Sequence, residues 1–344
     1  MSVRKGTALY MNTDQVMVSL VIPVYNALPY LRRCLNGCLS QNYEFYEIIC
    51  IDDGSTDGSD AVLDAFKIEY PDRFRVFHTV NQGVSEARNL GTREAKGKYI
   101  WYIDPDDEIA ENILRDIADM IHGVDLLLLP YVILTEENND LELKREFWNG
   151  KRGTDFKVFV TNNAFDKVWN YIVSKDIIIK SKLSFGKNIV LAEDRAFDFF
   201  LKEHIDTWDV YDKIAYYYII KNASASKGHV HNDEFKKRMI ENAYWTAIYI
   251  EESISRYDNS EFINTAKKYQ YENVREVIST GIRLGDVKYL NEKISVLKKN
   301  FLYPVSLKKL IEYNTSFFQG IKGAILNCNY LAVILCTIRG IIRR

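Results

Sequence analysis

The chain has 344 residues, 47% of them hydrophobic and 27% charged, with a formal net charge of −2. That length suits a catalytic domain with a smaller appendage, and the apolar share excludes disorder throughout. The near balance of charge gives no footing for nucleic acid as a partner.

Residues 1–15 read as an N-terminal arm without the apolar core of a signal peptide, so a cytoplasmic protein is expected. Val18–Val24 is a continuous apolar run, as in a buried strand. Leu28–Leu39 then sets Leu31, Leu35, Cys38 and Leu39 on one helical face. The alternation continues with a strand over Glu47–Ile51, a helix over Ser59–Tyr70 and a strand over Arg75–Thr79. A helix over Val84–Ala95 and a strand over Tyr99–Ile103 follow, then the segments Ile109–Ile121 and Asp125–Leu134. Strands alternating with helices of this length predict an α/β fold, a mostly parallel sheet with helices on both faces. Glu136–Asp140 is a polar loop. Residues 141–221 mix strands, including the aromatic-rich Ile214–Ile220, with a helix beginning near Ala192. Helices are expected over Phe235–Arg256, Ser260–Leu284 and Val287–Lys299. The domains expected are therefore a catalytic domain over 16–222, a helical region over 223–320 and an apolar, basic helix over 321–344.

That last segment has a charge-free run, Gly323–Ile338, of 16 residues, short of the roughly 20 that span a bilayer. From Leu297 to Arg344 there are eight Lys or Arg residues against one acidic residue, Glu312. A helix lying in a membrane interface fits this pattern. A helix packed on the domain or on a second subunit is the alternative. The five cysteines, at 34, 38, 50, 328 and 336, lack a second pair at zinc-ligand spacing and read as buried thiols in a reducing compartment.

Four polar tips follow the early strands: Pro23-Val24-Tyr25-Asn26, Asp52-Asp53-Gly54-Ser55, Asn81-Gln82-Gly83 with Arg88, and Asp104-Pro105-Asp106-Asp107. Open α/β sheets bind ligands outside such strand ends. Tyr25 can offer a flat face to a base, Asp53 can accept from its N–H, and Asn81 can serve a ribose or base edge. Arg88 supplies a planar cation for carbonyl or phosphate oxygens. Carboxylates two residues apart on a proline-stiffened turn suit a hard dication, Mg2+ or Mn2+, shared with phosphate oxygens. Each piece alone has a plainer reading. The Asp-Asp-Gly-Ser run is a turn before a helix cap, Asp104–Asp107 caps the next helix, and Arg88 is a solvated helix charge. Their occurrence in order, each after a successive strand, favours a common site.

Taken together these segments resemble the inverting glycosyltransferases of family 2, which have the GT-A fold. The resemblance covers roughly residues 16–222. It implies that Pro23, Tyr25, Asp53, Asn81, Arg88 and Asp104 hold the uridine part of a UDP-sugar donor, and that Asp106 binds the metal. It also implies that Asp194 of Glu193-Asp194 is the catalytic base, with Glu193 orienting the acceptor or holding the loop. A first-turn acidic pair of a helix is the plainer account of both. Lys221 stands where relatives often carry an arginine, so contact with the diphosphate is expected there. His229 and His231 either complete the metal shell or are exposed loop residues. Trp169-Asn170 lies where such enzymes often build the acceptor face, and a core tryptophan explains it equally well. The activity implied is inverting, metal-dependent transfer of a sugar from a UDP-sugar to a hydroxyl of a glycan acceptor, in assembly of a bacterial surface polysaccharide. A polyprenyl-phosphate glycosyltransferase and a non-catalytic nucleotide-sugar-binding subunit are the alternatives. A lipid-carrier-linked acceptor and a homo-oligomer belong to the same expectation.

Overall fold

The computed structural model describes residues 16–137, 140–141, 144–146, 156, 167–189, 191–221, 232–300 and 302–303. Their contacts divide the chain into two compact units. One comprises Met1–Leu183 and Phe200–Ile220, the other Ser184–Phe199 and Lys221–Arg344.

The first unit begins with β1 (Val18–Val24), α1 (Leu28–Leu39), β2 (Tyr46–Asp52), α2 (Ser59–Glu69), β3 (Phe74–His78), α3 (Val84–Glu94) and β4 (Tyr99–Tyr102). Every residue of β1, β2 and β4 is buried, as strands covered on both faces must be. Then come β5 (Glu108–Ile109), α4 (Leu114–Met120), β6 (Leu126–Leu128), β7 (Tyr131–Glu137), β8 (Asp140–Leu141) and β9 (Lys144–Glu146). After a short 3-10 turn at Val168–Asn170 the chain forms β10 (Tyr171–Ser174) and α5 (Lys175–Lys180). Following α6 (Glu193–Leu201), it closes with β11 (Trp208–Val210) and β12 (Tyr216–Lys221).

The described strands form a seven-stranded sheet in the order β11-β6-β10-β4-β1-β2-β3, and a second sheet in the order β5-β12-β7-β8 with β9 on β7. Within the large sheet β1, β2, β3 and β4 are parallel, and β10 is antiparallel to both β4 and β6. The expected mostly parallel α/β sheet is present. Two segments differ from the periodicity reading. Ile109 belongs to β5, so helix starts only at Leu114. Asp125–Leu134 breaks at Pro130, which has no N–H to give, into β6 and β7 of different sheets.

Pro23 lies inside a central strand, which is unusual. The carbonyl of Val24 takes the N–H of Asp53 on the β2 side, whereas that of Val21 takes the N–H of Ile103 on the β4 side. Alternate residues face alternate neighbours, so Pro23 faces β4. The pairing with β4 ends at Val21–Tyr102, so no ladder bond is lost there.

The second unit contains α6 as far as Phe199, with α7 (Asp233–Ile254), α8 (Ser260–Leu284) and α9 (Val287–Lys299). Side chains of Asn232, Asn259 and Asp286 accept N–H groups at the starts of α7, α8 and α9. Gly285 ends α8 in the left-handed conformation at φ 78. A Cβ on Gly281 would meet Leu290 Cδ1 at 2.6 Å, so glycine there lets α8 and α9 pack closely. Residues 184–199 stand with this unit because their aromatics pack in it. Phe185 stacks on Phe197 at 4.2 Å, and Phe199 lies 5.3 Å from Phe262 and 5.2 Å from Tyr269. Among the described residues no helix is long and apolar enough to cross a membrane. The expected arm over 1–15 and helix over 321–344 lie outside the described residues.

Candidate active site

Parallel β1 to β4 bring their C-terminal ends to one edge of the sheet, and the polar tips stand there. Tyr25 follows β1 and is 52% exposed, its ring available to a flat ligand. Asn26 turns the chain at φ 49, and its Oδ1 accepts the Thr56 N–H at 2.8 Å. Ser55 Oγ accepts the Asn26 N–H at 3.0 Å, and Asp57 accepts the Leu28 N–H at 2.9 Å. The loop after β2 is thereby laced to the start of α1.

Asp53 is 3% exposed. Its carboxylate accepts the N–H groups of Gln82 at 2.9 Å and Gly83 at 2.7 Å, and the Thr79 hydroxyl at 3.2 Å. Three donors occupy most of the roughly four lone-pair positions of a carboxylate, so here Asp53 anchors the loop that carries exposed Asn81. Gly54 sits between the two loops at φ +76, where a Cβ would come 3.0 Å from the Asn81 nitrogen. Only glycine combines that conformation with that approach. Beside it, Asp52 accepts the Ser55 N–H at 3.0 Å and bonds His78 Nδ1 at 2.8 Å, while His78 Nε2 lies 3.2 Å from Asp64.

The turn after β4 is held from three sides. Arg88 on α3 is 2% exposed and donates to Asp104 Oδ1 at 2.8 Å. From α1, Cys34 Sγ approaches the Asp104 carbonyl at 3.6 Å, and Arg33 donates to the Asp106 carbonyl at 3.4 Å while pairing with Glu108 at 2.7 Å. From β12, the Tyr216 hydroxyl accepts the Asp104 N–H at 3.1 Å and donates to Asp107 at 2.8 Å. Asp107 is buried and also accepts the Ile219 N–H at 2.8 Å. Burial, with Asp104 and Asp106 as like charges beside it, pushes its carboxyl well above the ordinary range. The three aspartates thus divide: Asp107 ties the turn to β12, and Asp104 and Asp106 stand half-buried above it.

Residues 19–178 match the family model described as Glycosyl transferase family 2. This stretch is similar to the family 2 glycosyltransferases. Glycosyltransferase GlyG of Streptococcus pneumoniae serotype 4 is 40% identical over 110 residues, 32% of this chain and 36% of that protein. The poly(ribitol-phosphate) beta-glucosyltransferase of Bacillus spizizenii is 33% identical over 220 residues, 59% of this chain and 32% of that protein. The chain spans about a third of the length of each of these relatives. Staphylococcus aureus TarS 1–349, solved in complex with UDP, superposes with a TM-score of 0.56 at 16% identity. That match covers 92% of this chain and 91% of that one, and the likeness is one of fold, GT-A.

Within the matched residues Pro23, Tyr25, Asp53, Asn81, Arg88, Asp104 and Asp106 all fall at the strand-end edge or on the elements that brace it. Glu193 and Asp194 open α6 in the second unit, both half-buried, just after Ala192 at φ 56. Asn242 accepts the Leu191 N–H at 2.9 Å and steadies that helix start. Lys221 ends β12. His229 and His231 lie outside the described residues. Trp169 is a core residue, stacked on Tyr216 at 4.5 Å and edge-on to Tyr131 at 4.8 Å. Sequence reasoning missed the bracing roles of Asp107, Tyr216, Arg33 and Cys34. The adjacency of three aspartates was a signal, since three like charges on one turn rarely all face a ligand.

Among the described residues no group of three or more His, Cys, Asp or Glu side chains is placed to hold a metal ion. The donor set of the turn fits a hard dication all the same, because Mg2+ and Mn2+ need only one or two protein carboxylates when phosphate supplies the rest. Asp104 and Asp106 offer that pair, with Asp107 turned inward.

Proposed function

We propose that the chain is an inverting glycosyltransferase that moves a sugar from a UDP-sugar to a hydroxyl of a glycan acceptor. The observation that carries this reading is the braced aspartate turn on the same sheet edge as exposed Tyr25, inside residues similar to the family 2 glycosyltransferases. Tyr25 stacks on the base, Asn81 serves the ribose, and Lys221 meets the diphosphate. Arg88 keeps Asp104 aimed by a half-buried ion pair, 2.8 Å long. Asp104 and Asp106 would hold Mn2+ or Mg2+, which as a Lewis acid neutralises charge on a leaving diphosphate. Asp194 takes the proton of the acceptor hydroxyl as its oxygen bonds to the anomeric carbon. The bond from that carbon to the diphosphate oxygen breaks on the opposite face, releasing UDP with inversion. Glu193 orients the acceptor or the loop beside it.

Relatives named for poly(ribitol-phosphate) glucosylation and minor teichoic acid biosynthesis support assembly of a bacterial surface glycan as the setting. The acceptor is then a growing glycan on a lipid carrier. The chain works at the cytoplasmic side of the membrane that holds this carrier, and a homo-oligomer belongs to the same reading.

The test is UDP release from a panel of UDP-sugars, with Mn2+ and with EDTA, for wild type, Asp106→Ala and Asp194→Asn. Metal-dependent release from one sugar, lost in both variants, supports the reading. UDP binding without release from any sugar, with or without glycan acceptors, would leave a binding subunit as the better account.

A further inference from the structure

The chain enters α6 through a bend that alanine does not favour. Ala192 lies just before the helix at φ 56, exposed, with a Cβ and no polar group to bond its own backbone. Left-handed backbone is costly for such a residue and persists only where the surroundings hold it. Asn188, at φ 63 a few residues earlier, is of a type that tolerates the conformation.

Helix α7 of the same unit supplies a hold. Asn242 Oδ1 accepts the N–H of Leu191, the residue before the bend, at 2.9 Å across 51 positions of sequence. Two helical turns further along that face, about 10 Å away, the Tyr249 hydroxyl donates to the Ser184 carbonyl at 2.7 Å. One face of α7 therefore grips the stretch before α6 near both of its ends. Between them a Cβ on Gly186 would meet Tyr249 Cγ at 3.0 Å and Ile189 Cδ1 at 2.4 Å, so the chain lies close against the same ring. Past the bend, Phe197 of α6 stacks back on Phe185.

These contacts fix different things. Tyr249 and the stacked rings fix where the stretch lies. The Asn242 bond holds the backbone one residue before Ala192 and three before Asp194, so it bears on the direction in which α6 starts. A first-turn side chain follows that direction, because the helix behind it is rigid. For a reacting group the direction matters, since a misplacement of about 1 Å costs roughly a hundredfold in rate.

We infer that Asn242 is a positioning residue, whose bond to the Leu191 N–H holds Ala192 in its left-handed conformation and so aims Asp194. The inference rests on the reading of Asp194 as the base that takes the acceptor proton. It gives α7 a part in the reaction that no motif of the sequence marks.

The experiment follows UDP release by the full chain from the UDP-sugar that wild type prefers, for Asn242→Leu, Asn242→Ala, Asn242→Asp and Asp194→Asn. UDP affinity by calorimetry and Tm are read for each. Leucine nearly matches asparagine in shape and removes the acceptor, whereas aspartate keeps an acceptor oxygen in the same place. The expected result is kcat lowered about tenfold in the leucine and alanine variants, a part of the roughly 10²–10⁴-fold that a positioned base contributes. UDP affinity and the KM for the donor should stay within about twofold of wild type, and Asn242→Asp should recover most of kcat. Unchanged kcat in both the leucine and alanine variants overturns the inference. An aspartate variant no faster than the leucine one overturns it as well, by reducing the contact to packing. UDP affinity that falls in step with kcat does the same, by marking a general loss of structure. These outcomes, with Asp194→Asn inactive, strike the inference alone. Wild type that releases UDP from no sugar, or Asp194→Asn as fast as wild type, refutes the assignment of the base and this inference with it.

Discussion

His78 lies between two carboxylates at the end of β3, one buried and one exposed. The bond to Asp52 raises the imidazole above its ordinary value, and Asp64 adds to the effect. Burial alone would raise the Asp52 carboxyl, but its bonds to Ser55 and His78 outweigh that and hold it low. A raised histidine stabilises the fold below its unfolded value and loses that contribution as pH rises through the folded one. A depressed carboxylate contributes above its unfolded value and loses it as pH falls. The pair is therefore strongest between about pH 4 and 6.5, the unperturbed values of the two groups. The Tm difference between wild type and His78→Gln should be largest near pH 5 to 6 and shrink by pH 8. A difference that is flat across that range would show that the pair carries no charge-dependent stability. Tyr216 is a second residue with a local effect. Tyr216→Phe deprives buried Asp107 of a donor and the Asp104 N–H of an acceptor. A loss of ~1–3 kcal/mol in urea unfolding is expected.

At the scale of elements, the site depends on how closely α3 and β4 approach β1. Gly97 joins the two, and a Cβ there would meet the Ser19 nitrogen at 2.6 Å and the Val18 carbonyl carbon at 2.9 Å. Backbone atoms in a central strand cannot step aside as a flexible side chain can. Gly97→Ala should therefore destabilise by ~1–3 kcal/mol as overpacking. It should also weaken UDP binding, because β4 carries the Asp104–Asp107 turn and α3 carries Arg88. Chemical denaturation and UDP titration of the same variant check both parts. Stability loss with intact UDP affinity would mean that the turn is braced well enough by α1 and β12 alone.

At the scale of the whole chain, Trp169 ties the two sheets of the first unit. It precedes β10 of the large sheet, its carbonyl accepts the Trp101 indole N–H at 2.8 Å, and its ring stacks on Tyr216 and Tyr218 of the smaller sheet. Trp169→Ala should cost ~3–5 kcal/mol, the range for removing a large buried aromatic. Near-UV circular dichroism and urea unfolding would read the loss. A cost under about 1 kcal/mol would mean that the sheets hold together through other contacts.

The local periods of the chain were enough to place β1, α1, α8 and α9 at Val18–Val24, Leu28–Leu39, Ser260–Leu284 and Val287–Lys299. Burial of one helical face or of a whole strand leaves its imprint on neighbouring residues, so short-range patterning suffices. The strand-end tips were legible for the same reason, as abrupt polar breaks after apolar runs. Tertiary structure alone decided what each polar side chain does there. Asp53 anchors a loop 29 and 30 residues on, and Asp107 meets Ile219 at a separation of 112. It also decided that 184–199 pack with the helical unit, through aromatics as far along as Phe262 and Tyr269. A carboxylate reads alike in sequence whether it faces a ligand or a buried N–H. The distinction is made by burial and by partners that chain folding brings from far away.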